Sequence, residues 1–456
     1  MKSSGMFKRF EVLLAAVMSI GMAQQKNSAA ATGPGDIYTA AGNTVVAAHS
    51  TVRALYASYN GRLYQVRRQS DSKTQDIGVL AAGGYANTAA VDSFCKGTKC
   101  DLMAVFDQSG KGNDLWTQGS AQVPASTSSK FPNALGEEKG AGCMVGGHKA
   151  YSVYIEPNNC MWHDGSKSGM ATGTQPEAMY MVTSGTHYNG CCCFDYGNSE
   201  TDRSADGAGT MDAINFSSQC WYGTATIPGP WVQADLEYGL FSGGSQSWNP
   251  NQKTMNYKFV TAMLKNNTTN LFALKGGNAA SGALTTLYSG TLPAGWYPMK
   301  KQGAIILGCG GDCCKPGGGA NCSAGTFYEG VIVTGYPADS TDNAIQANIV
   351  AAGYGSTTVN TSYRSGNAQR SSLVKVRYNP SNARAIIGYA LQHARRVSVN
   401  IVDQRGRRIT AVADGIVPAG RHEAVWDARH VPAGVYVCRV AIDGMEGWTG
   451  RIVIGK

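Results

Sequence analysis

Charge is scarce in this chain, and so are long apolar runs. Asp, Glu, Lys and Arg together make up 15% of the 456 residues, against 43% hydrophobic ones. That balance is too apolar for a disordered polypeptide. The largest apolar run, Val12 to Met22, falls short of the ~20 residues that a spanning helix requires, so no membrane span is expected. Histidine is rare, with seven in all. No His-Glu-x-x-His pair, Gly-x-Ser-x-Gly elbow or Walker loop occurs, which removes the metalloprotease, α/β-hydrolase and P-loop classes. The stretch Gly276 to Gly282 looks like a phosphate loop, but it lacks the following Lys and the strand–helix setting. Internal repeats and long amphipathic helices are missing too; Asp342 to Gly353 is the best helical candidate.

The formal charge of +9 does not describe a nucleic-acid binder. Residues 373–456 carry 13 Lys/Arg and 6 Asp/Glu, a surplus of +7, which leaves 26 and 24 for the rest, only +2. The main body therefore offers no electrostatic footprint for phosphate. What the chain has in abundance is glycine, 58 against 15 Pro, with many Ser, Thr, Asn and Tyr. This composition suits short strands joined by tight turns, an all-β architecture. Residues 33–354 read as one large β-sandwich or jelly roll, in which segments such as Ala304 to Leu307 and Gly330 to Val333 alternate with Gly-rich turns. Residues 355–372 are polar and read as a linker. Residues 373–456 repeat a compact strand pattern, with Val397, Val399 and Ile401 alternating with polar residues, and suggest a small immunoglobulin-like sandwich.

Residues 1–23 have the form of a secretory signal: Lys2, Lys8 and Arg9 precede the apolar stretch, and Gly21-Met22-Ala23 offers small residues for cleavage. Export makes the 13 cysteines disulfide partners rather than metal ligands, and no metal or cofactor is expected. One bridge could close the small loop Cys95 to Cys100. Within Cys191-Cys192-Cys193, neighbouring cysteines can bridge only by distorting the peptide between them, a feature of functional surfaces. A zinc site drawing on Cys192, Cys193, Cys313 and Cys314 is the rival, but adjacent cysteines lack the usual ligand spacing.

Two places could carry chemistry. In Trp231 to Glu237, strand periodicity would line up Trp231, Gln233, Asp235 and Glu237 on one face, with Val232, Ala234 and Leu236 toward the core. Two carboxylates and an indole together suit a sugar, since carboxylates do proton or nucleophile work and an aromatic plane covers the C–H face. Asp312 lies in Gly308-Cys309-Gly310-Gly311-Asp312-Cys313-Cys314, whose glycines let the backbone turn sharply beside a ligand. A solvated strand face and an ordinary turn are the plain alternatives for these two features. The loop Asp107 to Asn113 is assigned a structural role, its side chains bonding the local backbone.

Several segments resemble the catalytic domain of glycoside hydrolase family 54, the α-L-arabinofuranosidase B type. They are Ala47 to Thr51, Asp107 to Asn113, His187-Tyr188-Asn189, Cys192-Cys193-Phe194-Asp195-Tyr196-Gly197-Asn198, Gly276 to Gly282 and Gly325 to Gly330, colinear over roughly residues 33–354. The resemblance implies a concanavalin-like β-sandwich that removes terminal arabinofuranosyl groups from arabinoxylan or arabinan with retention. It implies Glu237 as nucleophile, Asp312 as general acid/base, and Asp235 on the sugar or orienting Glu237. It further implies a Cys192–Cys193 disulfide packing on the arabinose, a stacking wall at Trp221, a backbone contact from Gly311, and a Cys95–Cys100 bridge. Tyr238 replaces the polar residue that usually follows the nucleophile and contacts substrate. An insertion bearing Cys313, Cys314 and Cys322 follows Asp312. Residues 373–456 are similar to the sorting domain of bacterial type IX secretion, through Val399 to Asp403, Pro418 to His422, Pro432 to Tyr436 and the terminal Ile452 to Lys456. That implies a secretion machinery as partner and a location in the medium or on a bacterial cell surface. A non-catalytic lectin or adhesin on the same sandwich is the reading from another class. It would not need a nucleophile and an acid 75 residues apart.

Overall fold

The computed structural model describes residues 32–124, 132, 143–267, 269–315 and 321–356, then 375–379, 382–391, 395–403, 407–418, 420–442 and 445–454. The expected signal segment and most of the expected linker lie outside these residues, as do the side chains of Cys313 and Cys314.

Alternating apolar residues along short strands build two antiparallel sheets. One runs, by its strands, Val45–Ser50, Gly325–Thr334, Glu177–Tyr188, Phe259–Asn266, Leu271–Asn278, Thr285–Thr291, with Val153–Ile155 also paired to Gly325–Thr334. The other has ten strands in the order Leu240–Phe241, Trp231–Asp235, Asp212–Ser217, Asp195–Ser199, Ala304–Leu307, Met161–Asp164, Leu115–Thr117, Cys100–Val105, Arg62–Arg68, Thr74–Gly78. Facing side chains close the space between them: Tyr196, Ile214, Phe216, Val232, Ala234, Ile305 and Leu307 meet Met179, Met181, Val260, Leu264, Phe272 and Phe327 in one buried cluster. Each such side chain contributes about 1.5–3 kcal/mol by leaving water. The expected sandwich is thus present, with a further layer. The outer face of the first sheet is covered by the helices Pro34–Ala40 and Asp339–Ala352, through Tyr38, Ile345, Ile349 and Ala352.

Because side chains alternate across a strand, the face of the ten-stranded sheet turned away from this core carries Asn215 and Ala213, Asp195 and Gly197, Gln233 and Asp235, and Ile306. Register fixes these neighbours: Asp195 opposes Asn215, which opposes Gln233, and Asp235 opposes Ala213. A small apolar cluster of Cys160, Met211, Ala213, Ile306 and Cys309 floors part of that face.

Disulfides join Cys95–Cys100, Cys160–Cys309, Cys191–Cys322 and Cys192–Cys193. The first and last match the expectation; the other two pin loops that sequence spacing cannot pair. The Asp107 loop is structural as expected. The Asp107 carboxylate accepts from the amides of Ala48 (2.9 Å), Ser109 (2.8 Å) and Asn113 (3.2 Å).

The C-terminal strands form a three-stranded sheet (Lys375–Asn379, Arg384–Leu391, Gly420–Asp427) and a four-stranded sheet (Arg408–Val417, Arg395–Val402, Gly434–Ile442, Met445–Ile454). Both feed one core of Ile387, Trp426, Val399, Ile401, Cys438 and Ile452. These seven strands thus form two sheets around a shared apolar cluster. Among the described residues, no helix is long and apolar enough to cross a membrane.

Candidate active site

Asp235 ends its strand, and the chain then reverses in four residues. Leu236 N–H donates to the Gly239 carbonyl (3.3 Å), and both central residues, Glu237 and Tyr238, have positive φ, 60° and 58°. This is the signature of a type I′ hairpin turn, which ordinarily selects Asn-Gly. The expectation that Glu237 would continue the strand's polar face is therefore corrected. The strand stops at Asp235, and the turn, not pleat alternation, aims Glu237. The expected core positions Val232, Ala234 and Leu236 are fully buried. Trp231 does not flank a sugar face: it is buried and packs edge-on against Trp248, 4.8 Å between ring centroids.

Three contacts hold the turn. Glu237 N–H donates to Asp235 Oδ1 (3.1 Å), Trp296 Nε1 donates to the Glu237 carbonyl (2.7 Å), and the Tyr222 hydroxyl donates to the Tyr238 carbonyl (2.8 Å). A left-handed non-glycine residue costs about 1–3 kcal/mol and persists only where its surroundings over-determine it. These three contacts supply that determination.

Asp312 reaches the same face from strand Ala304–Leu307, which pairs with Asp195–Ser199. Beyond Gly308 (φ 89°) the chain enters a single 3₁₀ turn, Gly311–Cys314. Its base is fixed by Cys160–Cys309 and by Gly308 N–H donating to the Asp195 carbonyl (2.8 Å). The Ser323 hydroxyl lies within hydrogen-bond reach of the Gly308 and Cys193 carbonyls (2.9 and 3.0 Å), which ties this loop to the cysteine pair. A Cβ placed on Gly310 would sit 3.8 Å from both Cys193 Sγ and Asp312 Oδ1. A Cβ on Gly311 would fall onto Glu200 Oε2, so any larger residue there must displace that carboxyl.

Cys192 and Cys193 bridge across a cis peptide, and Cys191–Cys322 anchors the segment before them. Their sulfurs and an Asp235 carboxylate oxygen lie within 4.8 Å of one another. Joined to each other, the sulfurs are not thiolates with which to hold a metal.

Carboxyls converge here in number. Burial, then Asp235, Glu200 and Asp312 pushes Glu237 up to about 9. Asp235 is held well above the usual carboxylate range by burial and then by the neighbouring Asp195. Asp195, completely buried, is pushed up to about 7, chiefly by burial, although Asn215 Nδ2 donates to it (2.7 Å). Glu200 is likewise raised by burial. The structure thus brings together Glu237, Asp312, Asp235, Gly311, Cys192 and Cys193. Trp221 (46% exposed) and Tyr238 (55%) stand at the surface on the two segments that the Tyr222–Tyr238 bond connects. Sequence reasoning missed Asp195 and Glu200 as site residues, although Asp195 lies inside the Cys-Cys-Phe-Asp-Tyr-Gly-Asn motif.

Residues 34–355 match the family described as α-L-arabinofuranosidase B, catalytic. A probable α-L-arabinofuranosidase B of Aspergillus fumigatus is 48% identical over 351 residues, 76% of this chain and 67% of the relative. An arabinofuranosidase/β-xylosidase of Trichoderma koningii is 48% identical over 329 residues, 72% of this chain and 64% of the relative. The chain spans about two thirds of the length of these curated relatives. Among solved structures, an arabinofuranosidase complexed with arabinofuranosyl-α-1,2-xylobiose superposes with a TM-score of 0.65 at 41% identity, covering 82% of this chain and 75% of that one.

Proposed function

The chain belongs to the α-L-arabinofuranosidase B catalytic family of glycoside hydrolases, and on that premise we propose that it removes terminal α-L-arabinofuranosyl side chains from arabinoxylan or arabinan by double displacement. The observation that carries the reading is the convergence of two segments on the cysteine pair. The Asp235 carboxylate, bonded to the Glu237 amide, lies within 4.8 Å of both sulfurs. A Cβ on Gly310 would sit 3.8 Å from both Cys193 Sγ and Asp312 Oδ1, although the two segments leave strands separated in the sheet by two others. In the first step a Glu237 carboxylate oxygen attacks the anomeric carbon while the Asp312 carboxyl protonates the departing glycosidic oxygen. In the second, Asp312 takes a proton from water, the water oxygen attacks the same carbon, and the bond to Glu237 breaks.

The disulfide of Cys192–Cys193 offers a firm apolar surface for the sugar ring, Asp235 takes one of its hydroxyls or orients Glu237, and Gly311 contributes backbone. Trp221 and Tyr238 border the opening. The relative named for both activities supports some β-xylosidase action, since pentosides present similar hydroxyls. The disulfides among the described residues fit an exported protein. The C-terminal sandwich, rich in Lys and Arg, is read as a type IX sorting domain that addresses the enzyme to the medium or a bacterial surface. Wild type should release nitrophenol from 4-nitrophenyl α-L-arabinofuranoside, and Glu237→Ala should lose roughly 10⁴-fold or more in kcat. Equal rates would remove the assignment.

A further inference from the structure

The stretch Gly276 to Gly282, phosphate-loop-like in sequence, lies away from the active site, at the end of strand Leu271–Asn278 and in the turn that follows it. There it forms one wall of a cleft of about 390 Å³, a size that suits a small ligand. Residues 253–257 form the other wall. Both walls are fixed by the fold. Met255 N–H donates to the Pro230 carbonyl (2.8 Å), and the Thr254 hydroxyl donates to the Pro228 carbonyl (2.6 Å). A Cβ on Gly185 would fall onto the Tyr257 and Met255 carbonyl oxygens, so this segment is seated directly on strand Glu177–Tyr188. Opposite, Gln346 Nε2 of helix Asp339–Ala352 donates to the carbonyls of Asn278 (2.9 Å) and Gly282 (3.3 Å).

Phosphate loops work by aiming successive free N–H groups at the anion. Here those groups are spent within the protein. The N–H of Ala279 donates to the Phe259 carbonyl (2.9 Å), that of Ala280 to Asn278 Oδ1 (2.9 Å), and that of Ser281 to the Asn278 carbonyl (3.3 Å). Gly276 and Gly277 stand in the ladder, opposite Ala262 and Thr261. Among the described residues, Lys253 is the single cation lining the cleft. The other groups there are neutral: the Tyr257 ring, 41% exposed, the Thr285 hydroxyl, and the Asn278 amide bonded to Ser281 Oγ (3.2 Å). An aromatic plane for a C–H face, with hydroxyl and amide groups beside it, suits a saccharide.

We propose that this cleft is a second saccharide site, which holds a stretch of pentosan chain while an arabinofuranosyl branch is cleaved at the active site; the ligand's identity rests on the proposed function. Strand Trp231–Asp235 links the two places. Pro230, just before its start, carries the cleft wall, and the turn at its end carries Glu237. The five residues from Pro230 to Asp235 span roughly 17 Å of extended chain. That spacing keeps the cleft outside the catalytic pocket and within reach of the same polymer.

The test runs the whole chain in native gels cast with soluble arabinoxylan or with arabinan, beside steady-state rates on both polymers and on 4-nitrophenyl α-L-arabinofuranoside. Wild type should be retarded by at least one polymer; arabinoxylan alone assigns a xylan backbone to the cleft, and arabinan alone an arabinan chain. Tyr257→Ala should weaken that binding by about three- to tenfold in apparent Kd and raise KM on the polymer by a similar factor. Its kcat on the small arabinoside should stay within about twofold of wild type, since that substrate occupies only the active site. Thr285→Arg, which fills the cleft from an exposed position, should reproduce this pattern, and it decides alone if Tyr257→Ala does not fold. Unchanged retardation and KM in the folded variants overturn the proposal, as does a wild type that neither polymer retards. Competition by inorganic phosphate, or a loss in Lys253→Gln as large as in Tyr257→Ala, means an anion site and overturns it too. Retardation reads binding without turnover, so a wild type held through Tyr257 but inactive on every arabinoside sinks the proposed function and leaves the cleft standing.

Discussion

Two buried polar centres sit on opposite outer faces of the sandwich, and they are built by opposite rules. Under the helices, Arg53 meets Glu329 through two parallel bonds (Nε–Oε2 2.6 Å, Nη2–Oε1 2.7 Å), and the hydroxyls of Tyr180 (3.1 Å) and Tyr354 (2.9 Å) donate to the same carboxylate. Charge there is matched, and every acceptor has a donor. On the far face, the charges acting on Glu237 are those of Asp235, Glu200 and Asp312, all of one sign. The first centre holds the helix layer to the sheet. The second keeps protons where water would remove them, at a cost to folding, which is the trade expected of an active site.

That contrast can be broken from either side. Arg53→Met should leave the Glu329 carboxylate buried without its cation and destabilise the protein by about 3–5 kcal/mol in urea unfolding. The residual folded fraction should retain its kcat. Asp312→Asn should slow arabinosides with poor leaving groups by about 10²–10³-fold and activated ones much less, with azide restoring turnover as a glycosyl azide. Equal slowing of both substrates would argue that Asp312 is no acid.

Glu237→Gln should have the smallest effect and the opposite sign, raising stability at pH 7 by about 1–2 kcal/mol. The sign follows from linkage. The surroundings of Glu237 push the folded carboxyl up to about 9 from the ordinary 4.5, so the folded state binds more protons between those values. Wild-type stability therefore declines as pH rises from about 4.5 to about 9, whereas the amide variant lacks that decline. The difference between the two should close in acid; a constant difference across pH would contradict it.

Much of the site was legible in the sequence because it is local. The Asp235-x-Glu237 spacing, the Gly-Gly-Asp312 turn and the vicinal cysteines each need only a few neighbouring residues to be recognised. Asp195 and Glu200 were not, since nothing within their own strand places them at Glu237. They arrive there because Asp195–Ser199 lies between Asp212–Ser217 and Ala304–Leu307, a fact of strand order. The conformation of Glu237 escaped for a related reason. Its strand pattern continues in the sequence, but the hairpin closes on Leu240–Phe241 and forces two left-handed residues. The partners of Cys160 and Cys191 lie 149 and 131 residues away, beyond any spacing rule. For the sandwich itself, apolar alternation and Gly-rich turns sufficed; the helix Asp339–Ala352 begins three residues before its expected start.

The most direct test follows the anomer first formed from 4-nitrophenyl α-L-arabinofuranoside by proton NMR, before mutarotation. Two carboxyls acting in double displacement must deliver α-L-arabinofuranose first. Initial appearance of the β anomer would mean a single displacement by water, with Glu237 never bonded to the sugar.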